Sequence, residues 1–261
     1  MHHTTHAIIL AAGFGSRLQA KEGHKLLARI GQRTMLDYHM ENFLRVGVTH
    51  ITVVTGFRHE ALERAVEAAS SNHDKLTVMT AYNSDFERSN GLSVLAGIEA
   101  ATQHIDAPIP FWLTMGDHLF EPLLFEHIAA QPPFDEHIHG ALYIDRKLDT
   151  IFDVPDATKL RFDETNRLDA IGKEIGPFNA VDVGLFWGKS GFVEALEQAL
   201  ARRDDCSTSD AVTTLEAQGR FAFPDVQQAL WQDVDTPEAR AHAEHLLQGF
   251  TGKLAPNQEA S

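Results

Sequence analysis

Four short apolar runs, separated by stretches of helical periodicity, constrain the first half of this chain more than any other feature. Ile8-Ile9-Leu10, Ile51–Thr55, Leu76–Ala81 and Pro110–Met115 read as strands, the first of them buried on both faces. Thr34–Val46 carries Met35, Leu36, Met40, Phe43 and Leu44 at helical spacing and stops at Gly47. Arg58–Ala69 and Leu92–Thr102 are helical again, with Asn90 positioned to cap the second. This βαβαβαβ order predicts an α/β fold with a mostly parallel, Rossmann-like central sheet and helices on both faces. After Pro133 the rhythm changes. Gly140–Asp145 reads as a strand, and Ala157–Phe162 with Arg167–Ile171 as a hairpin across Asp163–Asn166. A strand at Val181–Trp187, helices at Phe192–Arg202 and Ser209–Gln218, and a last strand at Ala229–Val234 follow. A final helix runs over Pro237–Leu247, with Pro237 in its first turn. The expectation is one domain over residues 1–250 with an antiparallel C-terminal extension, and a disordered tail over 251–261.

In open α/β sheets, ligands sit beyond the carboxyl ends of the strands. The first strand ends in Ala11-Ala12-Gly13-Phe14-Gly15-Ser16-Arg17. Small residues let the backbone approach a phosphate closely, and Arg17 adds charge. An ordinary tight turn is the competing reading. Leu18 stands where a dinucleotide fingerprint needs its third glycine, and the P-loop spacing is absent, so a different phosphate-binding turn is implied. Arg17, Lys21, Lys25, Arg29 and Arg33 follow one another against Glu22 alone, in a chain of formal charge −15. This run is the candidate for concentrating positive potential on a polyanion. Thr55-Gly56 and Gly116-Asp117 end two further strands on the same rim. Asp117 and Asp235, the latter in Asp233-Val234-Asp235, are placed to hold Mg²⁺ through carboxylate oxygens, although either aspartate could instead cap the element that follows.

Composition narrows the classes. The acidic balance argues against a nucleic-acid surface but not against a small nucleotide in a local pocket. A single cysteine, Cys206, fits a reducing cytoplasmic setting; its acidic neighbours raise rather than lower its thiol pKa. No apolar run reaches membrane-spanning length, and the N-terminus lacks the basic start of an export signal. His2, His3 and His6 read as a mobile tail or an added tag, and His242 with His245 as a solvated helix face. No metalloprotease or serine-hydrolase motif occurs.

The segments Leu10–Leu18 and Lys25-Leu26-Leu27 resemble the signature of the sugar-phosphate nucleotidyltransferase superfamily, a group of MobA-like NTP transferases. Within it, the chain is similar to the CTP:myo-inositol-1-phosphate cytidylyltransferase domains. The similarity runs through Asn90-Gly91-Leu92-Ser93, Leu113–His118, Ala157–Arg161, Ile171-Gly172-Lys173, Val181-Asp182-Val183-Gly184 and Leu230–Thr236. The resemblance implies a Mg²⁺-dependent enzyme joining CTP to a small phosphomonoester, with myo-inositol 1-phosphate as first choice, and releasing pyrophosphate. It implies that Asp117 and Asp235 hold the metal, and that Arg17 and the turn Gly13–Ser16 hold the β- and γ-phosphates. Lys25 would neutralise the α-phosphate, making Arg17, Lys25 and Asp117 the catalytic set. Leu10, Ala11, Ala12, Gly13, Gly15, Ser16, Thr55, Asn90, Gly91, Ser93 and Gly116 complete the implied nucleotide site. Lys159, Lys173 and Asp182 are the implied acceptor side.

Two departures stand out. The family's Pro-Lys-Pro is His24-Lys25-Leu26 here, which predicts a more mobile lysine loop, and Val183 replaces a threonine near the acceptor. Many family members are fused to a membrane lipid-phosphate synthase, and no such segment is present in this sequence. Any lipid step is therefore expected of a separate protein. Phosphocholine, 2-aminoethylphosphonate, or a sugar 1-phosphate or molybdopterin with another nucleotide remain open as substrates. So do a non-catalytic nucleotide-sensing module and a homodimer.

Overall fold

The computed structural model describes residues 4–14, 24–71, 74–104 and 110–253. Its elements in chain order are β1 (His6–Leu10), a 3₁₀ turn (Lys25–Leu27), β2 (Arg29–Ile30), β3 (Arg33–Thr34), α1 (Met35–Arg45), β4 (His50–Thr55), α2 (His59–Ser70) and β5 (Thr77–Tyr82). Then come α3 (Asn90–Thr102), β6 (Phe111–Met115), β7 (His118–Phe120), α4 (Pro122–Ala130), β8 (Gly140–Asp145), β9 (Lys159–Phe162) and β10 (Leu168–Gly172). The chain finishes with β11 (Ala180–Gly188), α5 (Ser190–Arg203), α6 (Thr208–Ala217), β12 (Phe221–Ala222), β13 (Trp231–Asp233) and α7 (Pro237–Lys253).

The main sheet runs β10-β9-β11-β6-β1-β4-β5, with β8 and β12 branching from β11. Strands β6, β1, β4 and β5 are parallel. Strand β11 pairs antiparallel with β6, β8 and β9, and β9–β10 is the expected hairpin. The parallel half with an antiparallel C-terminal side is the fold that the alternating pattern predicts.

Packing explains why Ala7–Leu10 of β1 are all apolar. Ala7 and Ile9 enter one core with Met40 and Phe43 of α1, Leu62 of α2 and Phe125 of α4. Ile8 and Leu10 enter the core on the opposite face, with Val94 of α3, Phe192 of α5 and Val212 of α6. A strand sandwiched between two helical layers has no solvent face to mark with polar residues. Helix α1 begins at a capping box: Thr34 Oγ1 accepts from Asp37 N–H at 3.2 Å, and Asp37 Oδ2 accepts from Thr34 N–H at 2.8 Å.

Two sequence expectations change, and the last strand takes a partner that the sequence left open. His6 is fully buried in β1, and its Nε2 lies 3.1 Å from Thr52 Oγ1, so it belongs to the core rather than to a tail. Strand β13 does not join the main sheet; it pairs with β7, Asp233 opposite His118. Helix α7 continues to Lys253, past the expected start of a tail, and residues 254–261 lie outside the described part. No described helix is long and apolar enough to cross a membrane.

Candidate active site

The carboxyl ends of β1 and β6 meet at one floor. Gly116 N–H donates to Leu10 O at 2.8 Å, and Val234 N–H donates to Asp117 O at 2.8 Å, which ties the end of β13 to the end of β6. Above this floor opens a cavity of about 690 Å³, a size suited to a nucleotide-sized ligand. Leu10, Ala12, Gly13, Lys25, Asn90, Ser93, Asp117, Lys173, Asp182 and Asp235 all line it. Ala11 and Gly116 line a smaller pocket that adjoins it at Lys25 and Asp117.

Other sequence-stated positions fall elsewhere. Gly15, Ser16 and Arg17 lie outside the described residues. Thr55 lines neither cavity; its hydroxyl donates to Glu63 Oε1 at 3.0 Å beneath the rim. Gly91 packs against the loop before α6, where a Cβ would stand 2.5 Å from Cys206 O. Lys159 is 8% exposed, and its Nζ donates to Pro155 O, Ala157 O and Lys173 O, so it ties these segments together and is not among the residues lining the cavity. Of the basic run, Arg33 turns to Glu41 at 2.6 Å and Arg29 bonds Gln32 O. Lys25 is the member of that run, among described residues, that reaches the cavity.

Lys25 Nζ donates to Asp117 Oδ2 at 2.8 Å. The residue before it compensates for the missing proline: the His24 ring lies 2.7 Å from Ala11 O through Nε2, and its Nδ1 accepts from Leu26 N–H at 3.2 Å. With Nδ1 accepting, Nε2 carries the proton and donates. Burial lowers the His24 pKa, in keeping with this neutral, doubly bonded ring. The lysine turn is thereby pinned to the end of β1, where the sequence suggested a looser loop.

On the other side of Asp117, His118 Nδ1–H donates to Asp117 Oδ1 at 3.0 Å. Burial opposes charge on this ring, but the Asp117 hydrogen bond and the carboxylates of Asp233, Asp117 and Asp182 raise its pKa to about 9. Burial likewise opposes charge on Asp117, yet His118 and Lys25 outweigh it and hold that carboxyl well below the usual range. Asp233 behaves oppositely: burial, with Asp117 and Asp235 nearby, pushes it up to about 6 despite the His118 charge. Burial also raises Asp182 to about 6, although its Oδ1 accepts from Gly184 N–H at 2.6 Å.

The donor set fits a hard, oxygen-ligated dication such as Mg²⁺. Ligand atoms of Asp156, Asp233 and Asp235 lie within 4.8 Å of one another, as do those of Asp117, His118 and Asp233. Asp233 Oδ1 is buried without a hydrogen-bond partner, an orphan that a cation would satisfy. The hydrogen bond from His118 to Asp117 places a proton donor beside this carboxylate cluster. Thr236 caps α7, its hydroxyl accepting from Ala239 N–H at 3.0 Å.

The far end of the cavity is walled by the first turns of α3 and α6. Asn90 joins them rather than capping its own helix: its Oδ1 accepts from Thr208 N–H at 3.0 Å and its Nδ2 donates to Thr208 Oγ1 at 3.2 Å. Ser93 Oγ is oriented by Asn83 Nδ2 at 2.9 Å. Sequence reasoning missed His118, Trp231, Asp156 and the serines Ser207 and Ser209 as lining residues. The available signals were the segments Leu113–His118 and Leu230–Thr236, which hold His118 and Trp231, and the pair of aspartates flanking Val234.

Several known proteins resemble this chain in sequence or in fold. Over 246 residues the chain is 29% identical to a "Bifunctional IPC transferase and DIPP synthase" of Rubrobacter xylanophilus, covering 94% of this chain and 52% of the relative. It is 29% identical over 248 residues to the protein of the same description in Archaeoglobus fulgidus, covering 92% and 43%. The chain thus spans about half the length of these curated relatives. A "CMP-5'-(3-aminopropyl)phosphonate synthase" of Streptomyces rubellomurinus is 30% identical over 128 residues, 48% of this chain and 19% of that one. Among solved structures, the inositol-1-phosphate CTP transferase from T. maritima superposes with a TM-score of 0.76 at 23% identity, covering 97% and 99% of the two chains, a likeness of fold. Residues 7–139, just over half of the sequence, match the MobA-like NTP transferase domain, and the chain belongs to that family.

Proposed function

We propose that the chain is a Mg²⁺-dependent cytidylyltransferase. It would join CTP to a small phosphomonoester, myo-inositol 1-phosphate in the first instance, and release pyrophosphate with formation of a CDP-alcohol. The observation that carries this reading is the Lys25–Asp117 pair at 2.8 Å on the floor of a large polar cavity, beside Asp233 and Asp235. In the reaction, an acceptor phosphate oxygen forms a bond to the α-phosphorus while the bond from that phosphorus to the bridging oxygen of pyrophosphate breaks. No covalent protein intermediate is required, so rate comes from alignment and from charge placed where the transition state is negative. Lys25 supplies the cation at the α-phosphate. Asp117, Asp233 and Asp235 would hold the metal, which when bound supplies Lewis-acid stabilisation of the phosphate oxygens.

Two further features support the substrate assignment. Two relatives' names pair a cytidine nucleotide with a phosphonate or a phosphorylated compound. On the acceptor side, Asp156, Asp182 and Thr158 line the wall and offer oxygens to the hydroxyls of a polyol. Ser93, Asn90 and the α6 serines would line the base and ribose, and Lys173 would meet the acceptor phosphate. Pyrophosphate release is the test, measured with Mg²⁺ across the four ribonucleoside triphosphates and a panel of inositol 1-phosphate, phosphocholine, 2-aminoethylphosphonate and glucose 1-phosphate. Release with CTP and inositol 1-phosphate is expected. Release with UTP or GTP alone would overturn the base assignment, and silence throughout would favour a nucleotide-sensing module.

A further inference from the structure

Asp117 has both carboxylate oxygens engaged, one by Lys25 and one by His118, so its orientation depends on what holds the His118 ring. That ring is confined on two sides. Trp231 of β13 stacks on it with centroids 5.7 Å apart and planes 6° from parallel. Gly184 of β11 also packs on it, so close that a Cβ there would stand 2.7 Å from His118 Cδ2. The indole is itself fixed: Trp231 Nε1–H donates at 2.9 Å to Asp145 Oδ2, a carboxylate only 1% exposed. The other oxygen of Asp145 accepts from Lys147 Nζ at 2.8 Å and from the Lys147 backbone N–H at 2.7 Å.

We infer that Trp231 is a positioning residue for Asp117, acting through the stacked His118 ring, with Asp145 setting the plane of the indole. The inference rests on the proposed role of Asp117 at the metal. Its physical basis is that each Asp117 oxygen has its own donor, so Oδ1 is only as well placed as the His118 ring. An imidazole stacked on an indole and crowded by the Gly184 backbone is restrained against turning, whereas the same imidazole beside an aliphatic side chain would turn more freely. Groups that orient metal ligands in this way commonly contribute about ten- to a hundredfold in metal affinity or turnover.

The test compares Trp231→Leu, which removes the stack, with Trp231→Phe, which keeps one aromatic ring on His118 and loses the N–H and the rest of the indole. Mn²⁺ binding is followed by electron paramagnetic resonance without substrate, and kcat and nucleotide KM are measured alongside. For Trp231→Leu, about tenfold weaker Mn²⁺ binding and a similar fall in kcat are expected, with nucleotide KM within about twofold. Trp231→Phe should recover most of both losses. A folded Trp231→Leu variant with wild-type Mn²⁺ binding and turnover would overturn the inference. So would Leu and Phe variants impaired equally, since generic packing would then explain the loss. Because Mn²⁺ binding is read without substrate, it decides the positioning role even if the wild-type chain turned over no cytidine nucleotide, a result that would instead fail the proposed reaction.

Discussion

Gly184 has φ +72°, and a methyl group there meets His118 Cδ2 at 2.7 Å and Nε2 at 2.8 Å. Gly184→Ala therefore carries two separable costs. Holding a non-glycine residue in left-handed backbone costs about 1–2 kcal/mol. The clash adds about 1–3 kcal/mol, the usual range for an overpacked site, because Trp231 and Asp117 leave the ring nowhere to retreat. Gly219 is the matched control, since its φ is +67° but a Cβ there meets nothing within 4 Å. Urea unfolding should show Gly219→Ala destabilised by about 1–2 kcal/mol and Gly184→Ala by about 2–5 kcal/mol. Turnover should fall only in Gly184→Ala, as the displaced ring takes Asp117 with it. Equal losses in the two variants would refute the confinement of His118.

Further outcomes follow from the same geometry. Asp117→Asn and Lys25→Met should each lower kcat by about 10²–10³ without loss of fold, checked by pyrophosphate release and thermal melting, because each removes charge from a sheltered site. Burial, with His50 nearby, lowers His6 to about 4 against an unfolded value of 6.5. Between these values the unfolded chain binds more protons than the folded one, so His6 costs stability as pH falls from 6.5 towards 4 and costs none above that window. About 3 kcal/mol of acid-side loss is expected by pH 4, and His6→Gln, titrated by urea midpoint, should remove that share of the slope. Cys206 is buried, and burial with Asp205 and Asp210 pushes its thiol up to about 11. It should therefore resist a thiol reagent in the native protein at pH 8 and react fully in denaturant.

The legible parts of this protein are those fixed by local pattern. Strand β1 announces itself because both faces are buried, and Asp117 because an apolar strand delivers it to a rim. The β9–β10 hairpin shows in the polar residues at its turn. What escaped the sequence depends on long-range pairing. Strand β13 finds β7 rather than the main sheet, and that choice brings Asp233 and Trp231 against His118. Asn90 looked like a cap for its own helix, yet its amide completes the start of a helix more than a hundred residues away in sequence. Thr55, Gly91 and Lys159 stand close in sequence to the rim or wall, but their surroundings point them at Glu63, Cys206 and three carbonyls. Proximity to a strand end locates a residue to within a few ångströms; only packing decides which way it faces.

The central claim is a transfer of CMP from CTP to a phosphomonoester. The most direct measurement supplies CTP labelled at the α-phosphorus, inositol 1-phosphate and Mg²⁺, and follows the label by chromatography. Label moving into a CDP-alcohol, with unlabelled pyrophosphate released in equal amount and none without acceptor, is the predicted result. Label appearing as free CMP whether or not acceptor is present, or remaining in CTP, would contradict it.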